Sequence, residues 1–179
     1  AMSLLLLLCL LLPIGSPAQA LANDWSCPQQ ADTDGDGRLN TLHTAPKAQL
    51  QSATGRIDLP IPAFLLHKAC LADVNGDGKA EILLSHTTAT DTSPGVVRRL
   101  FIYRQSGRFL RPAFLGSRGA GPLLDFTTVD LNDDGKPEVL TWEMEGSTRR
   151  VRVWRWQGYG LVEAKDLEAP PPPNAPLPT

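Results

Sequence analysis

Three short stretches of this sequence concentrate oxygen-bearing side chains at one fixed spacing: Asp32-Thr-Asp-Gly-Asp-Gly-Arg-Leu-Asn40, Asp73-Val-Asn-Gly-Asp-Gly-Lys-Ala-Glu81 and Asp130-Leu-Asn-Asp-Asp-Gly-Lys-Pro-Glu138. Positions 1, 3, 5 and 9 are Asp32, Asp34, Asp36 and Asn40 in the first, Asp73, Asn75, Asp77 and Glu81 in the second, and Asp130, Asn132, Asp134 and Glu138 in the third. Position 6 is always glycine (Gly37, Gly78, Gly135), as a tight loop requires where φ must turn positive. Alternating carboxylates and amides, with a main-chain carbonyl near position 7 (Arg38, Lys79, Lys136), form the donor set of a hard cation such as Ca2+, which takes roughly six to eight oxygens. A lone cluster of this kind reads equally well as a solvated Asp/Asn/Gly turn. Recurrence of the full spacing at Asp73 and Asp130 favours the metal, whereas the first copy ends in an uncharged Asn40 and is expected to be the weaker site.

The surrounding elements argue against an EF-hand. Position 12 of such a loop should be a bidentate Glu, but here it is His43, Leu84 and Thr141. The flanks are strand-like rather than helical. Glu81-Ile-Leu-Leu-Ser-His and Glu138-Val-Leu-Thr-Trp-Glu are short apolar runs, and Arg99-Leu-Phe-Ile-Tyr-Arg and Arg150-Val-Arg-Val-Trp-Arg-Trp read as partly buried strands. Turn signals at Ser106-Gly107 and Gln157-Gly158 fall at matching places, before Phe109-Leu110 and Leu161-Val162. The predicted unit is strand, metal loop, strand, turn, strand, strand.

On these residues the second and third units resemble the FG-GAP or VCBS-type repeat, a relative of the calcium-loop blades of integrin α-chain propellers. The resemblance covers roughly Ala31 to Lys165. It implies an all-β fold of antiparallel blades, with Ca2+ held by Asp73, Asn75, Asp77, the Lys79 carbonyl and Glu81, and by Asp130, Asn132, Asp134, the Lys136 carbonyl and Glu138. Position 9 departs from the family's usual Asp, and the first unit lacks an apolar strand after its loop. Propellers close with about four to eight blades, so roughly three units are expected to form a partial, open array. Such an array must cap itself, oligomerise or dock on a partner. The segment Pro46 to Leu66 reads as an irregular cap.

Domain organisation follows from composition. Residues 1–22 are uncharged, contain the run Leu4 to Leu12, and end in Ala18-Gln19-Ala20 and Ala20-Leu21-Ala22, the pattern of a signal peptide. The rival reading is a retained hydrophobic anchor, since no Lys or Arg precedes Arg38. Residues 23–168 are expected to form the calcium-binding β-repeat domain, and 169–179 an extended Pro-rich tail. Once the leader is set aside with its Cys9, Cys27 and Cys70 remain, an even number suited to one disulfide in an oxidising compartment. Each precedes an Asp cluster by an odd number of residues, so neighbouring strands could present them to each other; the alternative is two unpaired buried thiols. A secreted or periplasmic location follows.

With 17 basic and 19 acidic residues, the chain offers no counterion-release surface, so a nucleic-acid partner is not expected. No Gly-x-Ser-x-Gly, His-Glu-x-x-His or P-loop pattern occurs, and His43, His67 and His86 are scattered. The reading is a non-enzymatic module that binds or scaffolds a protein or glycan at the cell envelope. The alternatives are an accessory subunit of a membrane assembly held by its N-terminal segment, or a hydrolase with unrecognised carboxylates. Trp142, Trp154 and Trp156 beside Arg149, Arg150, Arg152 and Arg155 read either as packing between blades or as an aromatic, basic patch for that partner. Arg98, Arg99, Arg104, Arg108 and Arg111 read as the solvated face of a hairpin.

Overall fold

The computed structural model describes Trp25 and residues 27–89, 96–116 and 121–171, so the apolar leader and most of the Pro-rich tail lie outside the described residues. Among the described residues, alternating apolar patterns punctuated by glycine turns resolve into twelve strands. The first sheet comprises β1 (Gln30–Ala31), β2 (Asn40–His43), β3 (Gln49–Ser52) and β4 (Gly55–Asp58). The second comprises β5 (Leu66–Ala72), β6 (Glu81–Ala89), β7 (Val96–Ser106) and β8 (Phe109–Leu115). The third comprises β9 (Leu123–Val129), β10 (Glu138–Glu145), β11 (Thr148–Gln157) and β12 (Gly160–Glu163). Each sheet is a four-stranded antiparallel meander in sequence order, the form of a propeller blade.

Burial explains why the strands differ in composition. The second blade is sandwiched between the other two, so both of its faces are apolar. Ala69, Leu71, Ile82, Leu84 and Tyr103 pack against Leu42, Leu50 and Ile57 of the first blade. The alternate residues Cys70, Ala72, Leu83, Leu100 and Ile102 pack against Leu123, Phe126 and Val139 of the third, with Trp154 and Trp156 beside them. The continuous run Ile82-Leu83-Leu84 is therefore a strand read from both sides, in contrast to the polar–apolar alternation of a half-solvated sheet.

The two ends of the stack are finished differently. On the outside of the first blade, Lys47 and Asp58 form an exposed ion pair 2.5 Å long, and Gln49 donates to the same Asp58 at 2.7 Å. That face needs no cover. The outer face of the third blade is apolar, and Trp25 lies on it with Leu140 and Trp142, all three nearly fully buried. Terminal repeats of stacked folds require such finishing, because an unpartnered apolar face is costly in water.

One expectation is corrected. Residues Pro46 to Leu66 are not an irregular cap; they supply β3 and β4 of the first blade, followed by a 3₁₀ turn at Ala63–Leu65. The strand after the first loop, β2, is not apolar, as expected: only Asn40 and Leu42 are buried. An end blade has a single inward face, so its strands alternate and lack the apolar run found in the second unit. Cys27 and Cys70 are bridged with their Cα atoms 5.1 Å apart. The Leu71 N–H donates to the Pro28 carbonyl at 2.9 Å, fastening the start of the first blade along β5.

Candidate metal centres

All three Asp-rich segments occupy the same place in their blades, joining the first strand to the second. Each is closed at its neck by an equivalent antiparallel pair: Ala31 opposite Asn40, Ala72 opposite Glu81 and Val129 opposite Glu138. Position 9 is thus the first residue of the second strand, and the eight residues before it form the loop.

Within the loops, the position 1 carboxylate gathers main-chain N–H groups. Gly37 donates to Asp32 at 2.8 Å, Gly78 to Asp73 at 2.8 Å and Gly135 to Asp130 at 2.7 Å. These glycines sit at φ of 78°, 85° and 81°, the left-handed region that admits glycine without strain. Position 5 is held by the N–H two residues later, from Arg38 to Asp36 at 2.8 Å, Lys79 to Asp77 at 3.0 Å and Lys136 to Asp134 at 2.8 Å. In the first loop Asp32, Asp34 and Asp36 bring ligand oxygens within 4.8 Å of one another. Desolvation pushes the Asp32 carboxyl up, but the N–H groups of Gly37, Gly35 and Asp34 outweigh it and hold it below the usual value.

Position 9 is buried in every loop: Asn40, Glu81 and Glu138 are at most 1% exposed. Glu81 accepts the Val74 N–H at 3.1 Å on one oxygen, while the other meets Arg104 Nε at 3.0 Å and the Asn75 amide. Glu138 accepts the equivalent Leu131 N–H at 3.0 Å, and Arg155 Nε lies 3.6 Å from its second oxygen. Burial raises the Glu81 carboxyl to about 7; Arg104 opposes that rise, and Asp77 adds to it. Asn40 donates to Thr33 Oγ1 and, at 3.2 Å, to Gln105 Oε1 across the blade boundary. From sequence Arg104 reads as part of a solvated hairpin face and Arg155 as part of an aromatic, basic segment; their pairing with the position 9 carboxylates was not foreseen. Their signal was an arginine three residues before the turn glycines Gly107 and Gly158 in the two units whose position 9 is Glu.

A hard cation fits this donor set. The side chains are oxygen ligands throughout, without the nitrogen or sulfur that softer metals prefer. Three of the ligand-position oxygens, Asp34 Oδ1, Asn40 Oδ1 and Glu138 Oε1, are buried with no hydrogen-bond partner. Buried acceptors are rarely left in that state without an ion or water to satisfy them.

The aromatic and basic segments divide between several roles. Trp154 and Trp156 pack between the second and third blades, with Arg104 5.1 Å from the Trp156 ring centroid. Trp142 faces the other way, beside Trp25 and under Arg149. Arg152 reaches Glu163 at 2.7 Å and Glu145 at 3.3 Å. Of the hairpin arginines, Arg98 and Arg104 are engaged by other residues, Arg98 donating to the Leu124 carbonyl at 2.5 Å and Arg104 pairing with Glu81, whereas Arg108 and Arg111 are exposed to solvent as expected. β7 lies between two blades, so its polar side chains are used to join them.

Residues 73–141 match the family model described as an FG-GAP-like repeat. The match runs from position 1 of the second loop to position 12 of the third, so the segment from one loop to the next carries this repeat, within three blade-like sheets. Comparison with curated proteins returns no match.

Proposed function

We propose that this chain is a Ca2+-stabilised repeat module, exported to the periplasm or beyond, whose blades bind or scaffold a protein or glycan partner and carry out no catalysis. The observation that carries the reading is the threefold recurrence of one loop. In each copy, acids are pre-set on main-chain N–H groups at the same strand junction, and two of the copies leave buried ligand-position oxygens unsatisfied. Asp32, Asp34, Asp36, the Arg38 carbonyl and Asn40 would hold one ion; the equivalent residues from Asp73 to Glu81 and from Asp130 to Glu138 would hold the others. The cation would offset the mutual repulsion of carboxylates held close together. Export is supported by the Cys27–Cys70 disulfide, which belongs to an oxidising compartment, and by the apolar leader.

Thermal unfolding of the mature protein in Ca2+ and in EDTA tests the metal. One site filled at a hundredfold excess over its dissociation constant adds about 2.7 kcal/mol. Equal melting temperatures in the two conditions refute the reading. Partners are sought by co-purification from envelope extracts in Ca2+ against chelator, and N-terminal sequencing of exported protein separates a cleaved leader from a retained anchor.

A further inference from the structure

Loops one and two are joined by a single peptide unit. The Ala80 N–H, at position 8 of the second loop, donates to the main-chain carbonyl of Asp32, position 1 of the first loop, at 2.7 Å. The same peptide carries the Lys79 carbonyl, the position 7 donor of the second loop. A planar trans peptide holds its C=O and N–H antiparallel, so with the N–H directed at the first loop the carbonyl faces away from it. The Lys79 side chain reinforces the junction: a Cβ added to Gly35 would stand 2.6 Å from Lys79 Cε. Asp32 is in turn the hub of its own loop, its carboxylate accepting N–H groups from Asp34, Gly35 and Gly37.

The third loop repeats only part of this. Lys136 lies over Gly76 as Lys79 lies over Gly35, with the added Cβ again 2.6 Å from Cε. Position 8 there is Pro137, which has no N–H to give. No blade follows the third loop among the described residues, and its position 4 is Asp133 at φ 58° where the other two loops have glycine.

Resting on the reading that the loops bind Ca2+, we propose that the first two sites are energetically coupled through the Lys79–Ala80 peptide, while the third loads independently of the first. A cation drawing on the Lys79 carbonyl polarises the peptide and strengthens its N–H as a donor, and it fixes the plane that directs this N–H at Asp32. Loading of the second loop thereby orders the first. By linkage the effect is reciprocal, so a filled first loop raises the affinity of the second by the same factor.

The position 6 amides of Gly37, Gly78 and Gly135 each report one loop, because each donates to the position 1 carboxylate of its own loop. Ca2+ titration of the full mature chain, followed by amide NMR at these glycines, resolves the three sites. Disabling the second loop with Asp77→Ala should weaken loading at Gly37 by about fivefold or more, and Asp36→Ala should weaken loading at Gly78 by the same factor. Asp134→Ala should leave Gly37 unchanged. In an Ala80→Pro background, a substitution the equivalent Pro137 shows the loop shape to accept, Asp77→Ala should no longer shift Gly37. Unshifted Gly37 and Gly78 midpoints in Asp77→Ala and Asp36→Ala, with binding intact, would overturn the coupling alone. Glycine amides that do not respond to Ca2+ in the parent protein would overturn the metal reading beneath it.

Discussion

Arg104, in the third strand of the second blade, places its Nε 3.0 Å from Oε1 of Glu81, a carboxylate whose side chain is only 2% exposed. The pair ties the neck of the second loop to β7, and Arg155 makes the looser equivalent with Glu138 from β11 at 3.6 Å. Arg104→Met keeps a stem beside Trp156 and removes the guanidinium. Because Arg104 itself is 43% exposed, a loss of roughly 1–2 kcal/mol is expected, toward the low end for a hydrogen bond to a charged group. Urea unfolding at neutral pH measures it; no loss would mean that solvent screens the pair.

The three loops should not be equal in their effect on stability. The second is flanked on both sides, by Asp32 and Gly35 of the first loop and by Lys136 of the third. Asp77→Ala in saturating Ca2+ should therefore lower the melting temperature more than Asp36→Ala or Asp134→Ala, with losses on the order of 1–3 kcal/mol. The first loop, ending in uncharged Asn40, should be the least sensitive. A larger drop for Asp36→Ala than for either of the others would reverse this order.

The Cys27–Cys70 bridge spans 43 residues and encloses the whole first blade. In the chain-entropy model a loop of that size stabilises by roughly 4 kcal/mol. Cys27→Ser/Cys70→Ser should lose about that much in denaturant unfolding, with the start of the first blade the first region to exchange its amides. Mass analysis of the unreduced mature chain should find two hydrogens fewer than the free dithiol, and labelling of both thiols in exported protein would contradict the bridge.

Trp25 covers the end of the stack. Its truncation in Trp25→Ala uncovers Leu140 and Trp142, so a cost of about 3–5 kcal/mol is expected, together with concentration-dependent self-association. Light scattering alongside thermal melts checks both. A monomeric variant with an unchanged melting temperature would show that the outer face of the third blade does not depend on this residue.

Much of the architecture could be read directly from residue types. The spacing of Asp, Asn and Gly located three equivalent loops because oxygen donors and a positive-φ glycine are local requirements, satisfied within nine residues. The order strand, loop, strand, turn, strand was equally local, since the turn glycines Gly107 and Gly158 and the apolar runs after Glu81 and Glu138 lie next to what they control. The first blade was harder to read. Its strands bury one face only, so Asn40-Thr-Leu-His43 and Gln49-Leu-Gln-Ser52 look polar until Leu42 and Leu50 are seen against Ile82 and Leu84.

What the chain alone could not decide is how the units meet. That Glu81 and Glu138 are buried against Arg104 and Arg155 depends on strands a further 17 to 23 residues along the chain, brought alongside only when each meander closes. That Trp25 serves the third blade, although it precedes the first, follows from the path of the segment before β1, which runs past the second blade, where Cys27 is bridged to Cys70 and Lys68 donates to the Trp25 carbonyl. The hydrogen bond from Ala80 to Asp32 joins residues 48 positions apart, because sandwiching the second blade between the others lays its metal loop against the first. The spacing of oxygen donors within each loop is a local property of the chain, whereas the contact between one loop and the next is a property of packing.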